Sequence, residues 1–157
     1  ALLALARGRL GQAAYGAPPR QAPRAGRVTF CWGAGSGGRF GDVDDFRRAG
    51  CDVHLATLDG SAGVRGTVVD LLGTLFADRA AAPRHVACCG PEPMMAAVTR
   101  WADAVGAGCD VSLEAPMACG VGICFTCVAR VRDAAGGWDY RRTCVEGPVF
   151  PGAAIEW

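Results

Sequence analysis

Along residues 1–113, short apolar runs alternate with segments that repeat apolar positions at helical spacing. The apolar runs predict buried strands at residues 28–32, 51–57, 85–89 and 109–113. Helical spacing occurs at residues 1–10, 43–48, 67–76 and 93–106. Strands that alternate with helices predict right-handed crossovers and a parallel sheet, an architecture that often binds nucleotides.

The pattern changes beyond Glu114, where cysteine, glycine and short strand-like pieces such as residues 128–131 replace the alternation. We therefore place a domain boundary near Gly108. The sequence predicts a nucleotide-binding domain over residues 1–108, followed by a small β-rich and loop-rich domain over residues 109–157.

Composition narrows the functional classes. Of the 157 residues, 51% are hydrophobic and 20% are charged, as expected for a globular protein. Sixteen basic and fifteen acidic residues leave a formal charge of +1, so we expect neither nucleic acid nor an anionic membrane as a partner. No apolar stretch is long enough to span a membrane, and the first six residues, ALLALA, lack the charged start of an export signal. We therefore expect a cytoplasmic protein.

Four of the nine cysteines carry the strongest chemical signal. They are spaced C-x4-C-x2-C-x16-C, at Cys119, Cys124, Cys127 and Cys144. This is the plant-type ferredoxin pattern, and it predicts a [2Fe–2S] cluster bound by four thiolates. Gly120 and Gly122 suit the loop because backbone without a side chain can approach the sulfides.

A four-cysteine zinc site is the alternative, but such sites usually present two short-spaced pairs, and here Cys144 stands alone. Arg141 and Arg142 lie just before Cys144 and leave two interpretations open. They form a solvated pair, or they contact a partner or the negative charge of the cluster.

A glycine motif after the first strand is set aside. Gly33, Gly35 and Gly38 match G-x-G-x-x-G, but residues 40–50 hold only about two helical turns. A dinucleotide fingerprint needs a longer helix whose N-terminus faces the pyrophosphate. We therefore interpret the segment as a surface loop.

Four motifs in one order carry a family resemblance: DGS at residues 59–61, CGPEPMM at 89–95, SLEAPMACGVGICFTC at 112–127 and GPVF at 147–150. With them the chain resembles the electron-transfer subunit of NAD-linked, type B dihydroorotate dehydrogenase, in the ferredoxin reductase superfamily. The likeness covers nearly the whole chain from Val28 onward.

The resemblance implies a ferredoxin-reductase-type sheet and an oxidoreductase subunit that relays electrons between NAD, FAD, the [2Fe–2S] cluster and FMN. The FMN belongs to a catalytic partner that oxidises dihydroorotate in pyrimidine biosynthesis, and the two subunits form a heterotetramer. The implied nucleotide and flavin contacts are Asp59, Gly60, Ser61, Cys89, Gly90, Pro91, Glu92 and Pro93. No residue of this chain is expected to be catalytic, because the cofactors perform the chemistry.

Two departures from the family matter. The chain lacks the N-terminal barrel with its Arg-x-Tyr-Ser type motif, and it lacks the strand and glycine-rich turn that precede the first helix. We therefore expect a C-terminal fragment that is inactive alone, with FAD bound largely by the missing domain.

Two alternatives stay open. Related reductase subunits serve hydrogenases, sulfite reductases and transhydrogenases with the same domain arrangement. A zinc-stabilised interaction module would use the cysteines without electron transfer.

Overall fold

The computed structural model describes residues 2–157, so Ala1, the first residue of the predicted N-terminal helix, lies outside the described part. The chain divides into two compact units, the first ending at Ala77 and the second spanning Asp78–Trp157. Both units combine helices with parallel strands, which confirms the predicted α/β class.

Within residues 2–77, the first unit holds three α-helices and three strands. In chain order they are α1 (Leu2–Arg9), β1 (Thr29–Ala34), α2 (Val43–Arg48), β2 (Asp52–Thr57), β3 (Val64–Arg65) and α3 (Val68–Leu75). The strands form one parallel sheet in the order β1-β2-β3. The two-residue strand β3 is absent from the sequence prediction. Helix α2 is as short as predicted, which supports setting the glycine motif aside.

Aromatic packing fills the core of the first unit on one side of β1. The Phe30 and Phe46 rings stack with centroids 3.7 Å apart and planes 3° from parallel. Trp32 packs edge-on against Phe46 at 6.3 Å. Burying each ring contributes about 1.5–3 kcal/mol, so this cluster is a main source of stability for α2 on the sheet.

Helix α3 begins where the sequence predicts, because Thr67 and Asp70 form a capping box. The Thr67 hydroxyl accepts from the Asp70 amide at 3.3 Å, and the Asp70 carboxylate accepts from the Thr67 amide at 2.7 Å. These bonds satisfy amides that the first helical turn leaves unpaired. Leu71 is then buried on the helix face that meets the sheet.

The second unit holds one long helix and five strands. In chain order they are β4 (His85–Cys89), α4 (Glu92–Ala104), β5 (Gly108–Ser112), β6 (Val128–Arg132), β7 (Trp138–Arg142) and β8 (Val149–Pro151). Strand β5 pairs in parallel with β4 and antiparallel with β8, and α4 packs on this sheet through buried Met95 and Val98. Strands β6 and β7 form a separate antiparallel hairpin.

The predicted boundary near Gly108 falls at the first residue of β5, a strand that is hydrogen-bonded to β4 in one sheet. The compact units divide instead between Ala77 and Asp78. The division into a nucleotide domain and a cluster domain at residue 108 stays a prediction. Within residues 2–157, no helix combines the length and the apolar character that a membrane crossing requires.

Candidate functional site

The four predicted ligands lie on two segments that the β6–β7 hairpin brings together. Residues 118–127, here called the cysteine loop, contain no helix or strand and lead directly into β6. Cys144 lies in the turn that follows β7. In the hairpin register Val128 faces Arg142, so Cys127 and Cys144 become neighbours despite the sixteen residues between them.

A left-handed backbone shapes the cysteine loop. Gly120, Gly122 and Phe125 have φ values of 66°, 81° and 55°. Glycine suits the first two positions because it adopts positive φ without strain. At Gly122 there is also no room for a side chain, since a Cβ would lie 2.5 Å from the Val145 Cγ2 atom.

The thiols are arranged as two pairs. Cys119 lies close enough to Cys124, and Cys127 to Cys144, for the thiols of each pair to shift each other's pKa. The Thr126 hydroxyl donates to the Cys124 sulfur at 3.2 Å. Across residues 2–157, no three cysteine, histidine or acidic side chains converge closely enough to bind a single metal ion. Two pairs of sulfur donors fit a dinuclear cluster, in which each iron takes two thiolates beside the bridging sulfides.

Hydrogen bonds favour the thiolate form of Cys119, the first of the four predicted ligands. The backbone amide of Val121, then the Cys124 thiol and the amides of Cys124 and Ile123, lower the pKa of Cys119 to about 6. In the second pair, the bond to Cys144 lowers the pKa of Cys127 and in turn raises that of Cys144. The loop therefore presents a ready thiolate at Cys119, as binding to iron requires.

The buried end of the cysteine loop is closed by Thr143. Its amide and its hydroxyl both donate to the Cys127 carbonyl, at 2.8 and 3.1 Å. Thr143 is only 1% exposed. At the middle of the loop, Arg142 donates from Nη1 to the Gly122 carbonyl at 2.9 Å. The Glu146 carboxylate accepts from Arg141 and Arg142, and these bonds, led by the Arg142 amide, lower its pKa to about 2.

An apolar rim surrounds the cysteine loop. It consists of Met117, Val121, Ile123, Phe125 and Val145. Each of these side chains is more than half exposed, and Ile123 reaches 78%. Clusters of large exposed apolar side chains mark interaction surfaces more often than chance exposure does.

The predicted nucleotide contacts fall into two groups. In the first unit, Asp59, Gly60 and Ser61 form the turn after β2. The Asp59 carboxylate accepts from the Ser61 hydroxyl at 2.6 Å and from its amide at 2.9 Å, and these bonds lower the pKa of Asp59. The Ser61 oxygen also accepts from the Gly37 amide at 2.8 Å, so the turn is tied to the glycine loop after β1.

The other group lies in the second unit, where Cys89 is the last residue of β4. Gly90 follows with a φ of 153°, Pro91 caps α4, and Glu92 and Pro93 form its first turn. The carboxyl ends of parallel strands are the usual ligand edge of such sheets.

The cysteines outside the two thiol pairs are mostly inert. Burial raises the pKa of Cys31 to about 11 and of Cys88 to about 12. It also raises the pKa values of Cys51 and Cys109. These thiols stay protonated at neutral pH, as expected for cysteines packed in a core.

Sequence reasoning did not find the roles of Thr126, Thr143 and Glu146. The partners of Thr126 and Glu146 lie within five residues, but these bonds depend on the conformation of irregular turns. Thr143 meets Cys127 only in the folded hairpin. For Arg142 the sequence leaves open a solvated pair with Arg141 or a contact with a partner or with the charge of the cluster, and it does not indicate the bond to Gly122. A basic pair followed by an acidic residue at the i+4 position is the one local signal for the Arg142–Glu146 pair.

The amino-acid sequence is similar to a protein family and to several curated proteins. Residues 114–156 match the family described as "Iron-sulfur cluster binding domain of dihydroorotate dehydrogenase B". The chain is 36% identical over 113 residues to the dihydroorotate dehydrogenase B (NAD(+)) electron transfer subunit of Fusobacterium nucleatum, covering 72% of this chain and 41% of that protein. It is also 36% identical over 143 residues to the subunit of the same name from Shouchella clausii, covering 87% and 52%. The chain thus spans about half the length of these relatives, or less.

A solved structure is similar as well. It comes from work entitled "Insights into flavin-based electron bifurcation via the NADH-dependent reduced ferredoxin-NADP oxidoreductase structure", and it matches with a TM-score of 0.66 and 31% identity. The match covers 83% of this chain and 45% of the solved one. The ferredoxin-reductase type of fold expected from the sequence is therefore confirmed.

Proposed function

We propose that this chain binds a [2Fe–2S] cluster and passes electrons through it, because residues 114–156 match the iron-sulfur cluster binding domain of dihydroorotate dehydrogenase B and the chain is similar to electron transfer subunits of that enzyme. The proposed ligands are Cys119, Cys124, Cys127 and Cys144. The observation that carries the proposal is the arrangement of these four thiols as two pairs within the matched domain. A dinuclear cluster needs two pairs, whereas a zinc ion needs all four thiolates around one point.

The fuller proposal follows the names of the relatives. Electrons from dihydroorotate pass from FMN in a catalytic partner, through the cluster, to FAD and then to NAD⁺. The oxidation to orotate releases two electrons and two protons. NAD⁺ takes up both electrons and one proton, the equivalent of a hydride, and the second proton is released to solvent. The chain thereby contributes to an oxidoreductase of pyrimidine biosynthesis without supplying a catalytic residue.

The two parts of the chain divide this work. Residues 1–108 contribute nucleotide and flavin contacts, with the turn at residues 59–61 in the first unit and the segment at residues 89–93 in the second. Residues 109–157 hold the cluster. The sheet edge at Cys89 and the hydrogen-bonded turn at Asp59 support these contacts, because both follow the carboxyl ends of parallel strands.

The apolar rim supports docking of the catalytic partner beside the cluster. Electron transfer between subunits requires a short distance, so the cluster must lie near the surface that the partner covers. Four exposed side chains of the cysteine loop and its flanks, Met117, Val121, Ile123 and Phe125, supply apolar area for this contact. Assembly as a heterotetramer in the cytoplasm completes the proposal, since free cysteine ligands require a reducing compartment.

A second candidate is an electron-transfer subunit of a related oxidoreductase. It is favoured by the similarity to the NADH-dependent reduced ferredoxin-NADP oxidoreductase structure. The two candidates differ in the electron donor. Dihydroorotate and the catalytic partner reduce the cluster under the first proposal, and only a reduced ferredoxin or another donor does so under the second.

The cluster itself is tested by metal and sulfide analysis of the protein purified without oxygen. We expect iron and acid-labile sulfide in equal amounts, with visible absorption that bleaches on reduction. Replacing any of the four ligands by serine should abolish this absorption. The matched control is Cys109→Ser, a partly buried cysteine in β5, which should keep it. Stoichiometric zinc without sulfide would contradict the proposal and favour an interaction module.

A further inference from the structure

One side chain joins the cysteine loop to the segment that carries Cys144. Arg142 is the last residue of β7, and its Nη1 atom donates to the Gly122 carbonyl at 2.9 Å, across twenty residues of sequence. The guanidinium carbon also lies 5.3 Å from the centre of the Phe125 ring. Gly122 stands between the first and second ligands and Phe125 between the second and third. A single guanidinium therefore contacts both stretches that separate the loop cysteines.

Glu146 holds this guanidinium in place. Its Oε2 atom accepts from the Arg142 amide at 2.9 Å and from Nε at 3.2 Å. The Glu146 amide donates back to the Arg142 carbonyl at 2.8 Å. These bonds close the turn around Cys144 and leave Nη1 directed at Gly122. The arrangement uses the planar fork of arginine, which lysine lacks.

The tie differs from an ordinary surface ion pair. Exposed arginine–glutamate pairs contribute about 0–1 kcal/mol and organise nothing beyond themselves. Here the side chain of Arg142 is about one-third exposed, and its bond to Gly122 joins the end of β7 to the middle of the cysteine loop, which has no regular secondary structure of its own. Ordering an irregular loop costs conformational entropy. A hydrogen bond at the middle of the loop therefore slows the local opening that would separate the cysteine ligands.

We propose that Arg142, oriented by Glu146, is a positioning residue that keeps the cysteine loop against Cys144 and favours the reduced form of the cluster. The inference rests on the proposed function. Four thiolates and two sulfides outweigh the charge of two ferric ions, and reduction adds a further negative charge. A fixed guanidinium beside the loop stabilises the more negative state more strongly.

The test compares Arg142→Gln with the wild-type protein, both purified with the cluster. The readouts are the rate at which a chelator bleaches the visible absorption and the midpoint reduction potential. We expect about tenfold faster bleaching, which corresponds to about 1.4 kcal/mol, the size of a charged hydrogen bond. The potential should become more negative. Arg142→Lys should recover most of the potential because it keeps the charge, but it should still bleach faster because it loses the fork.

Arg130→Gln is the matched control. Arg130 lies in the same unit, pairs with Glu156 at 3.3 Å and stacks on Trp138 at 3.9 Å, but no bond joins it to the cysteine loop. The cluster of Arg130→Gln should bleach at the wild-type rate and have the wild-type midpoint potential. If Arg142→Gln is isolated without a cluster while Arg130→Gln and Arg142→Lys retain theirs, the positioning role is supported.

Two results would overturn the inference. If Arg142→Gln keeps both the wild-type rate and the wild-type potential, Arg142 is only a surface residue. If Arg130→Gln changes both as much, the effect is one of net charge. A wild-type protein that lacks iron and sulfide refutes the proposed function together with this inference, whereas a cluster-bearing wild type with an unaffected Arg142→Gln refutes this inference alone.

Discussion

Thr143 donates its amide and its hydroxyl to one acceptor, the carbonyl oxygen of Cys127. The two hydrogen bonds, of 2.8 and 3.1 Å, lie at the open end of the β6–β7 hairpin. Cys127 directly precedes β6 there, and Cys144 follows β7. A carbonyl that accepts two bonds in a buried place holds its segment firmly, because water cannot replace either donor.

Thr143→Val tests this contact. Valine keeps the shape of the side chain and the hydrogen bond donated by the backbone amide, but it removes the hydroxyl. We expect a loss of about 1 kcal/mol in the free energy of unfolding, measured in urea, together with faster cluster loss. Thr99→Val is the control, because Thr99 is also buried but its hydroxyl faces only the Cys109 sulfur, at 3.8 Å. Equal effects of the two substitutions would show that the hydrogen bond from the Thr143 hydroxyl to the Cys127 carbonyl has no special role.

Thr126→Val should change the redox potential without unfolding the protein. The Thr126 hydroxyl donates to the Cys124 sulfur at 3.2 Å, and a donor to a ligand sulfur stabilises the more negative, reduced cluster. Removing it should lower the potential by about 20–60 mV, the equivalent of one neutral hydrogen bond in a one-electron couple. Spectroelectrochemical titration measures the shift.

The control for this prediction is Thr74→Val, since the Thr74 hydroxyl donates to the Asp70 carbonyl within α3. It lies in the other unit and should leave the potential unchanged. An unchanged potential in Thr126→Val would mean that the hydroxyl does not bond to the sulfur once iron is bound.

The elements that the sequence predicted well are those with local signals. Helix α3 begins at Thr67 because the cap and the acidic residue three positions later are both in the sequence. Strand β4 was predicted with its observed bounds, because an apolar run ends at Gly90 and Pro91.

The strands that were missed depend on pairing with distant residues. Strand β7 carries exposed Trp138 and Tyr140, and no face of it is buried in a way that the sequence pattern reveals. Strand β8 has three residues and is defined only by its antiparallel pairing with β5. Periodicity cannot detect a strand that has little buried surface.

In the candidate site, too, the sequence predicts the features that have a local signal and misses those that depend on the folded structure. The cysteine spacing indicates which four thiols serve as ligands, because the spacing is itself a local property of a loop. It does not indicate that Cys119 pairs with Cys124, which depends on the backbone of the cysteine loop. Nor does it indicate that Cys127 pairs with Cys144, which depends on the hairpin register. The tie from Arg142 to Gly122 also requires the folded hairpin.

Asp70→Asn should make stability less dependent on pH. The Thr67 amide, followed by its hydroxyl, lowers the pKa of Asp70, so the folded state favours the carboxylate. A lowered pKa adds stability above the ordinary aspartate pKa of about 4, and this stability is lost as the pH falls through the lowered value. The variant should therefore be less stable than wild type at pH 7, and the difference should shrink as the pH falls below the ordinary aspartate pKa.

Urea unfolding at several pH values measures this difference. Asp44→Asn is the control, because Asp44 is 74% exposed and only forms a surface ion pair with Arg47. Its effect should be small at every pH. A difference between Asp70→Asn and wild type that stays constant with pH would contradict the capping-box explanation.

Two glycines in the first unit should respond to alanine in opposite directions. Gly63 precedes β3 with a φ of 67°, and a Cβ there would overlap the Leu55 carbonyl oxygen of β2. Gly73 lies within α3 and has open space around it. Gly63→Ala should therefore destabilise the protein by at least about 2 kcal/mol, whereas Gly73→Ala should stabilise it by about 0.5–1 kcal/mol. Urea unfolding of the two variants measures both changes.

The same pair of variants tests the proposed nucleotide contacts. Gly63 closes the turn that contains Asp59 and Ser61, where the Thr57 hydroxyl donates to the Ala62 carbonyl at 2.8 Å. If this turn contacts NAD, Gly63→Ala should weaken NAD binding under conditions in which the variant is still folded, and Gly73→Ala should not. Unchanged NAD affinity in a folded but destabilised Gly63→Ala would remove the turn from the nucleotide site while leaving the cluster proposal intact, because the cluster ligands lie in the other unit.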